Sequence, residues 1–268
     1  MSDPDRRHLK TTFDQDAEVY DRARPRYPEQ LFDDLVAMAG LQEESDVLEV
    51  GCGTGQATLA MARRGFRMVC VELGENLAAI ARRNLQQHPK VRIITAPFED
   101  WDAGSERFDL VFAAQAWHWL DPEVRYQKAA EVLRPGGSLA IIDVEHAFPR
   151  DADAFFFEIQ DVYRAIGDDI AAHQEWPPPP PEDVPDMREE IVASGLFGDV
   201  QARRYVWELT YTADEYIDLL STFSGHIAME PGKRDYLYRN VRERINARPD
   251  RSVRRHWLAI LNLARSLS

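Results

Sequence analysis

Short apolar runs recur through the first half of the chain, at about 46–50, 67–72, 91–95, 108–114 and 138–143. They are rich in Val, Ile, Leu and Phe, and their length suits buried strands. Helical spacing fills the gaps. Leu31, Phe32, Leu35, Val36 and Met38 follow Pro28, which suits a first helical position, and the pattern stops at Gly40. A helix is predicted from about Gln56 to Arg64, ending at Gly65, and another from about Asn76 to Gln87, ending before Pro89. Asp121-Pro122-Glu123 reads as a helix start, with Asp121 as cap, and Arg134-Pro135-Gly136-Gly137 as its end. Alternating strands and helices of this length predict an α/β fold, a mostly parallel sheet with helices on both faces. Right-handed crossovers then bring the strand C-termini to one edge, where a ligand belongs.

The rhythm changes after Val144. Residues 151–170 are helical and aromatic, with Phe155, Phe156 and Phe157, and Trp176 precedes the prolines 177–181. Such a run suits only an extended surface crossover. Val200–Leu209 alternates as a strand does; Thr212 suits the cap of a helix reaching about Phe223; residues 233–248 form a basic helical stretch. The segment His256–Leu263 fits strand or helix equally by pattern.

Chemistry concentrates at the first strand, which runs through Glu49-Val50 into Gly51-Cys52-Gly53-Thr54-Gly55. A glycine turn lets backbone N–H groups approach a ligand closely. The second strand ends on Glu72, seventeen residues past Gly55, and a carboxylate there can accept from both hydroxyls of a ribose. The glycine spacing is G-x-G-x-G, not the G-x-G-x-x-G of dinucleotide sites; Gln56 is too large for the third position of that motif, which argues against a nicotinamide oxidoreductase. The predicted topology gathers Gly51, Glu72, residues 95–99 and residues 115–118 at one edge from four strands.

At Glu49–Gly55 and Glu72 the chain resembles the class I S-adenosylmethionine (AdoMet) methyltransferases. Tyr20-Asp21, Arg24-Pro25 and Leu133-Arg134-Pro135-Gly136-Gly137 extend the likeness to the small-molecule branch, similar to trans-aconitate and ubiquinone-pathway methyltransferases. The resemblance implies a Rossmann-like seven-stranded sheet that closes with a sixth strand and a seventh, antiparallel one beside the fifth; Val200–Leu209 and Trp257–Ala264 suit that pair. It divides the chain into an N-terminal segment covering the cofactor site (1–40), an AdoMet-binding core (41–144), a cap insertion (145–199), and the last two strands (200–268) with a helical insertion at 210–254.

It also implies roles. Gly51, Gly53 and Gly55 would wrap the methionine and ribose parts of AdoMet, and Glu72 the ribose hydroxyls, beside Leu73. Glu49 would fix the turn or reach the cofactor amine through water, or else serve as a strand-end acid in a salt bridge. Phe98 and Glu99 would frame the adenine, Tyr20 and Arg24 would close over the cofactor with Arg24 near its carboxylate, and Gln115 would meet its methionine end. His118, between Trp117 and Trp119, is the candidate general base, with a packing role as the alternative; His146, His173 and His226 are weaker candidates. The product would be S-adenosyl-L-homocysteine (AdoHcy).

Composition narrows the partners. A net charge of −14 disfavours a general nucleic-acid binder. Residues 233–255 depart from this, with nine Lys and Arg against three acids; a solvated helix face explains them, and a phosphate-binding patch is the alternative. Cys52 and Cys70 form no C-x-x-C pair, residues 1–10 hold no apolar signal core, and no apolar run is long enough to span a bilayer, so a cytoplasmic protein without a metal cluster is expected. The expected activity is methyl transfer to a small molecule. Its rivals are RNA or protein methylation, docked by residues 233–255, and AdoMet binding without catalysis. Oligomeric state is not readable.

Overall fold

The computed structural model describes residues 14, 16–167 and 178–267. Phe13, His173, Trp176 and Pro177 lie outside the described residues. Strands β1 (Asp46–Val50), β2 (Arg67–Glu72), β3 (Val91–Thr95) and β4 (Phe108–Ala114) fall at their predicted limits. They join β5 (Leu133–Ala147), β6 (Phe197–Thr212) and β7 (Ser252–Ser266) in one seven-stranded sheet of order β3-β2-β1-β4-β5-β7-β6. The first five strands pair in parallel, and β7 is antiparallel to both β5 and β6. The segment that sequence pattern left open is therefore a strand, consistent with the implied seventh.

Helices cover both faces. On one, Leu31, Phe32 and Leu35 of α2 (Glu29–Ala39) and Ala57, Ala60 and Met61 of α3 (Gln56–Ala62) pack on Val47, Met68, Leu110 and Ile142. On the other, Tyr126, Ala129 and Val132 of α5 (Arg125–Val132) and Ile191 of α8 (Arg188–Ala193) pack on Leu48, Val111, Leu139 and Ile141. The N-terminal α1 (Ala17–Ala23) lays Ala17 against Leu77 and Ile80 of α4 (Glu75–Asn84). Helix α5 starts later than expected. Asp121 accepts from the Glu123 N–H at 3.0 Å and so caps a turn, and the helix begins at Arg125.

The largest departures from the expected boundaries are in β5, β6 and β7. Each is 15 or 16 residues long, so all three project past the parallel sheet. The connecting segments shorten to 148–196 and 213–251. Short helices α6 (Phe155–Glu158) and α7 (Gln160–Ala165) come from the first. The second supplies α9 (Ala213–Ser221), α10 (Ser224–Ile227) and α11 (Pro231–Asn246). Thr212 caps α9, sharing a capping box with Glu215. These helices bury Phe155, Phe156, Tyr216, Leu220, Leu237 and Val241 against Val253 and Trp257 of β7, a third core separate from the two that sandwich the sheet.

Candidate active site

One large cavity, about 1090 Å³, opens between the strand C-termini and the helices over them. Its floor begins at the glycine turn. Gly51, Gly53 and Gly55 have φ of +69°, +55° and +86°, a left-handed backbone that side chains disfavour. A Cβ on Gly51 would stand 2.4 Å from the Cβ of Ala116, so only glycine lets the turn pass the end of β4. The turn is held by Glu72, whose two carboxylate oxygens accept from the N–H groups of Gly53 and Gly74, each at 2.8 Å. Burial raises the Glu72 pKa above the ordinary carboxylate value, and the backbone donors partly offset this. Each oxygen keeps a lone pair for a further donor.

Tyr20, Arg24, Gly51, Gly53, Glu72, Leu73, Phe98, Glu99, Gln115 and His118 all line this cavity. Glu99 accepts the Asp121 N–H at 3.1 Å, and Lys128 lies over the Phe98 ring. Gln115 adopts φ +59°, strained for a non-glycine residue, and is held there by β5: its N–H donates to the Ile142 carbonyl and its amide to the Val144 carbonyl. Arg24 joins the N-terminal segment to the cap, stacking between Tyr20 and Phe223 and donating to the Thr222 carbonyl at 2.7 Å. Its Nε is buried without an acceptor.

Two candidates lie elsewhere. Gly55 is the N-cap of α3 and packs towards Leu85, outside the cavity wall. Glu49 is buried beneath the turn, where Thr58 donates to it at 2.6 Å, and among the described residues it forms no salt bridge. Strand periodicity is the reason: Glu49 shares the face of Val47, which looks towards α3, not the ligand edge. Desolvation pushes its pKa up to about 8. A carboxyl raised in the fold above its unfolded value is most stabilising when protonated. Stability on its account should therefore fall as pH rises from about 4.5 through 8. We expect Glu49→Gln, which keeps an acceptor for Thr58, to remove a loss of about 2 kcal/mol between pH 5 and 7, read from urea melts at both pH values; a slope unchanged by the substitution would contradict this.

His118 sits in a 3-10 turn, Trp117–Trp119. Trp117 is buried on Tyr126, whereas the His118 ring faces the cavity. The residue as a whole is exposed, but desolvation by the surrounding protein, then the cations Arg125 and Arg24, lower its pKa to about 4. It is neutral near pH 7, a proton acceptor of low basicity. The adjoining Asp143 and Glu145 of β5 were not singled out by sequence, although Asp143 ends the predicted fifth strand. Burial, then repulsion from Glu145 and Glu190, raises Asp143 to about 6. Of the weaker histidines, His146 and His226 line the cap side, each with its pKa lowered chiefly by burial. Among the described residues no cluster of ligands suits a metal ion, and no helix is long and apolar enough to cross a membrane.

Known proteins resemble this chain in sequence and fold. A methyltransferase-domain family model matches residues 47–137, which span the glycine turn, Glu72 and His118. An uncharacterized methyltransferase of Mycobacterium tuberculosis is 27% identical over 91% of this chain and 89% of its own length. Trans-aconitate 2-methyltransferase of Deinococcus radiodurans is 32% identical over 40% of this chain and 41% of its own. A solved structure of a candidate type II methyltransferase from Anaeromyxobacter dehalogenans superposes with a TM-score of 0.62 at 26% identity, covering 90% of this chain and 97% of that one. With the sheet order, the glycine turn and the acid at the tip of β2, these likenesses show a methyltransferase domain at residues 47–137 and support an enzyme of the class I S-adenosylmethionine-dependent type.

Proposed function

We propose that this chain binds AdoMet between the glycine turn and Glu72 and transfers its methyl to a small molecule held under the cap. The observation that carries the reading is the continuity of one cavity from Gly51 and Glu72 to the aromatic cap residues Phe156, Tyr216 and Phe223. At about 1090 Å³ it exceeds the usual range for a single small ligand, leaving space for cofactor and acceptor together.

The residues present fit the cofactor. Glu72 offers free lone pairs to ribose hydroxyls, and Arg24 has an orphaned buried Nε on the side where a methionine carboxylate needs a cation. Leu73, Phe98 and Glu99 form the wall suited to adenine. AdoMet supplies an activated methyl on a sulfonium, so the protein need only align the acceptor and exclude water. Gln115, fixed by two β5 carbonyls, sets one wall of the methionine end. Neutral His118 and ionised Asp143 both face the cavity, where either can accept a proton from an acceptor that must lose one.

Docking of RNA or protein by the basic stretch finds less support. Arg242, Arg244, Arg248 and Arg254 pair with Asp214, Asp161, Asp153 and Glu208, so much of its charge is neutralised within the cap. The direct test is incubation with methyl-labelled AdoMet and a panel of small acids, phenols and amines, beside bulk RNA and denatured protein, scored by AdoHcy release. At least one small molecule should be methylated, with little dependence on salt. Labelling of RNA or protein alone, falling steeply with salt, would overturn the reading.

A further inference from the structure

The cap end of the cavity holds an arginine that forms no ion pair among the described residues. Arg255 is 7% exposed and lines the cavity. Its Nη1 donates to the Tyr216 hydroxyl at 3.0 Å, and its Nε is buried with no acceptor. Its guanidinium lies 4.3 Å from the Trp257 ring centre and 5.4 Å from that of Phe223. Among the described residues no carboxylate oxygen lies within 4.0 Å of it. Among the described residues, Glu145, His146, His226, Tyr211 and Tyr216 have their pKa values shifted in part by its charge. His146 and His226 are both held neutral; among the described residues whose pKa its charge shifts, Glu145 is the one acid, and it is itself pushed up by burial. A charge so deeply buried is costly unless paired, and its neighbours here are aromatic.

The methionine end of the cofactor does not explain this cation. Gln115 marks that end and is bonded to the Ile142 and Val144 carbonyls of β5. Arg255 lies one residue past the last β5–β7 pair, Ala147 with His256. It therefore stands about four residues, roughly 14 Å, further along the sheet than Val144. Arg24, nearer the glycine turn, is the cation for the cofactor carboxylate. Arg255 shares the Phe223 ring with Arg24 but lines the cavity together with Phe148, Phe156 and Tyr163 of the cap end.

We propose that Arg255 anchors an anionic oxyacid group on the acceptor, so that the substrate is a small aromatic or apolar acid, either a carboxylate or a phosphate ester. The inference rests on the small-molecule reading above and adds its substrate class. The anion would pair with the guanidinium where it borders the cavity, while Trp257 and Phe223 pack on the acceptor's body and on the guanidinium faces. Binding a neutral analogue would leave the cation unpaired, which is the basis of discrimination.

The test is calorimetric titration of the full chain, saturated with AdoHcy, with 3-phenylpropanoate, phenyl phosphate and the neutral 3-phenylpropanamide. At least one anion should bind tenfold or more tightly than the amide, and which one does so assigns the carboxylate or the phosphate. Arg255→Gln should erase that preference while leaving AdoHcy affinity within twofold. Arg255→Met should melt at the same or a higher temperature, since it removes an unpaired buried charge; a clear drop would mark a structural role and overturn the proposal. Equal binding of amide and anions, no anion binding, or an intact preference in Arg255→Gln would overturn it too. Weakened AdoHcy in Arg255→Gln would return this arginine to the cofactor. Should AdoHcy itself fail to bind the native chain, the methyl-transfer reading falls, and the same titrations without it decide the anion site.

Discussion

Replacing Glu72 by alanine should weaken AdoHcy binding about a hundredfold or more, with the fold retained. Glu72 fixes the Gly53 and Gly74 N–H groups and, on this account, accepts from both ribose hydroxyls. Hydrogen bonds to a charged group are worth about 1.5–3 kcal/mol each, so losing two costs about 3 kcal/mol or more, which is two decades in affinity. Alanine also leaves the Gly53 N–H without its acceptor and loosens the turn that frames the ligand. Glu72→Gln should do nearly as badly, because its amide NH₂ would face a backbone donor on one side. Calorimetry with AdoHcy reads the affinity, and a thermal melt reads the fold. An affinity within threefold of native in a folded variant would remove the cofactor assignment.

The second large effect is expected at Gly51. An alanine there combines φ +69° with a Cβ 2.4 Å from that of Ala116. The Ala116 methyl cannot swing aside, so the backbone after β4 must move. The left-handed backbone costs about 1–2 kcal/mol and the overlap about 1–3 kcal/mol. Gly51→Ala should therefore lose about 2–5 kcal/mol of stability and most AdoHcy affinity, since the moving segment carries Gln115 and His118. Gly65 provides the control. Its φ is +90°, yet a Cβ there meets nothing within 4 Å. Gly65→Ala should show only the backbone cost, about 1–2 kcal/mol, with AdoHcy affinity unchanged. Equal losses at the two glycines would contradict the close approach of turn and β4. Denaturant melts and calorimetry on both variants decide it.

Local signals made much of the fold legible. Each of β1 to β4 is a short apolar run set off by glycine, proline or charged residues, and such runs have few alternative conformations. Crossover handedness then brought Gly51, Glu72, Phe98 and His118 to one edge without any knowledge of contacts. Less legible are features whose deciding contact is distant. Glu49 adjoins the glycine motif, but period-two alternation sends its side chain to Thr58 and Cys70 on the other face. Arg255 was counted among the charges of a solvated helix, yet α11 ends at Asn246 and Arg255 belongs to β7, facing the cap interior. Its neighbours Tyr216 and Phe223 lie more than thirty residues away in sequence, so no spacing rule reports them. The ends of β5, β6 and β7 were underestimated because their outer residues pair with one another, above the sheet's parallel part.

The central claim is that this cavity binds a sulfur nucleoside through the glycine turn and Glu72. It is tested most directly by calorimetric titration of the purified chain with AdoMet, AdoHcy and NAD in parallel. The account predicts micromolar or tighter binding of AdoMet and AdoHcy, at one site per chain, and none of NAD. Failure of both sulfur nucleosides to bind folded protein, or binding of NAD in their place, would contradict it.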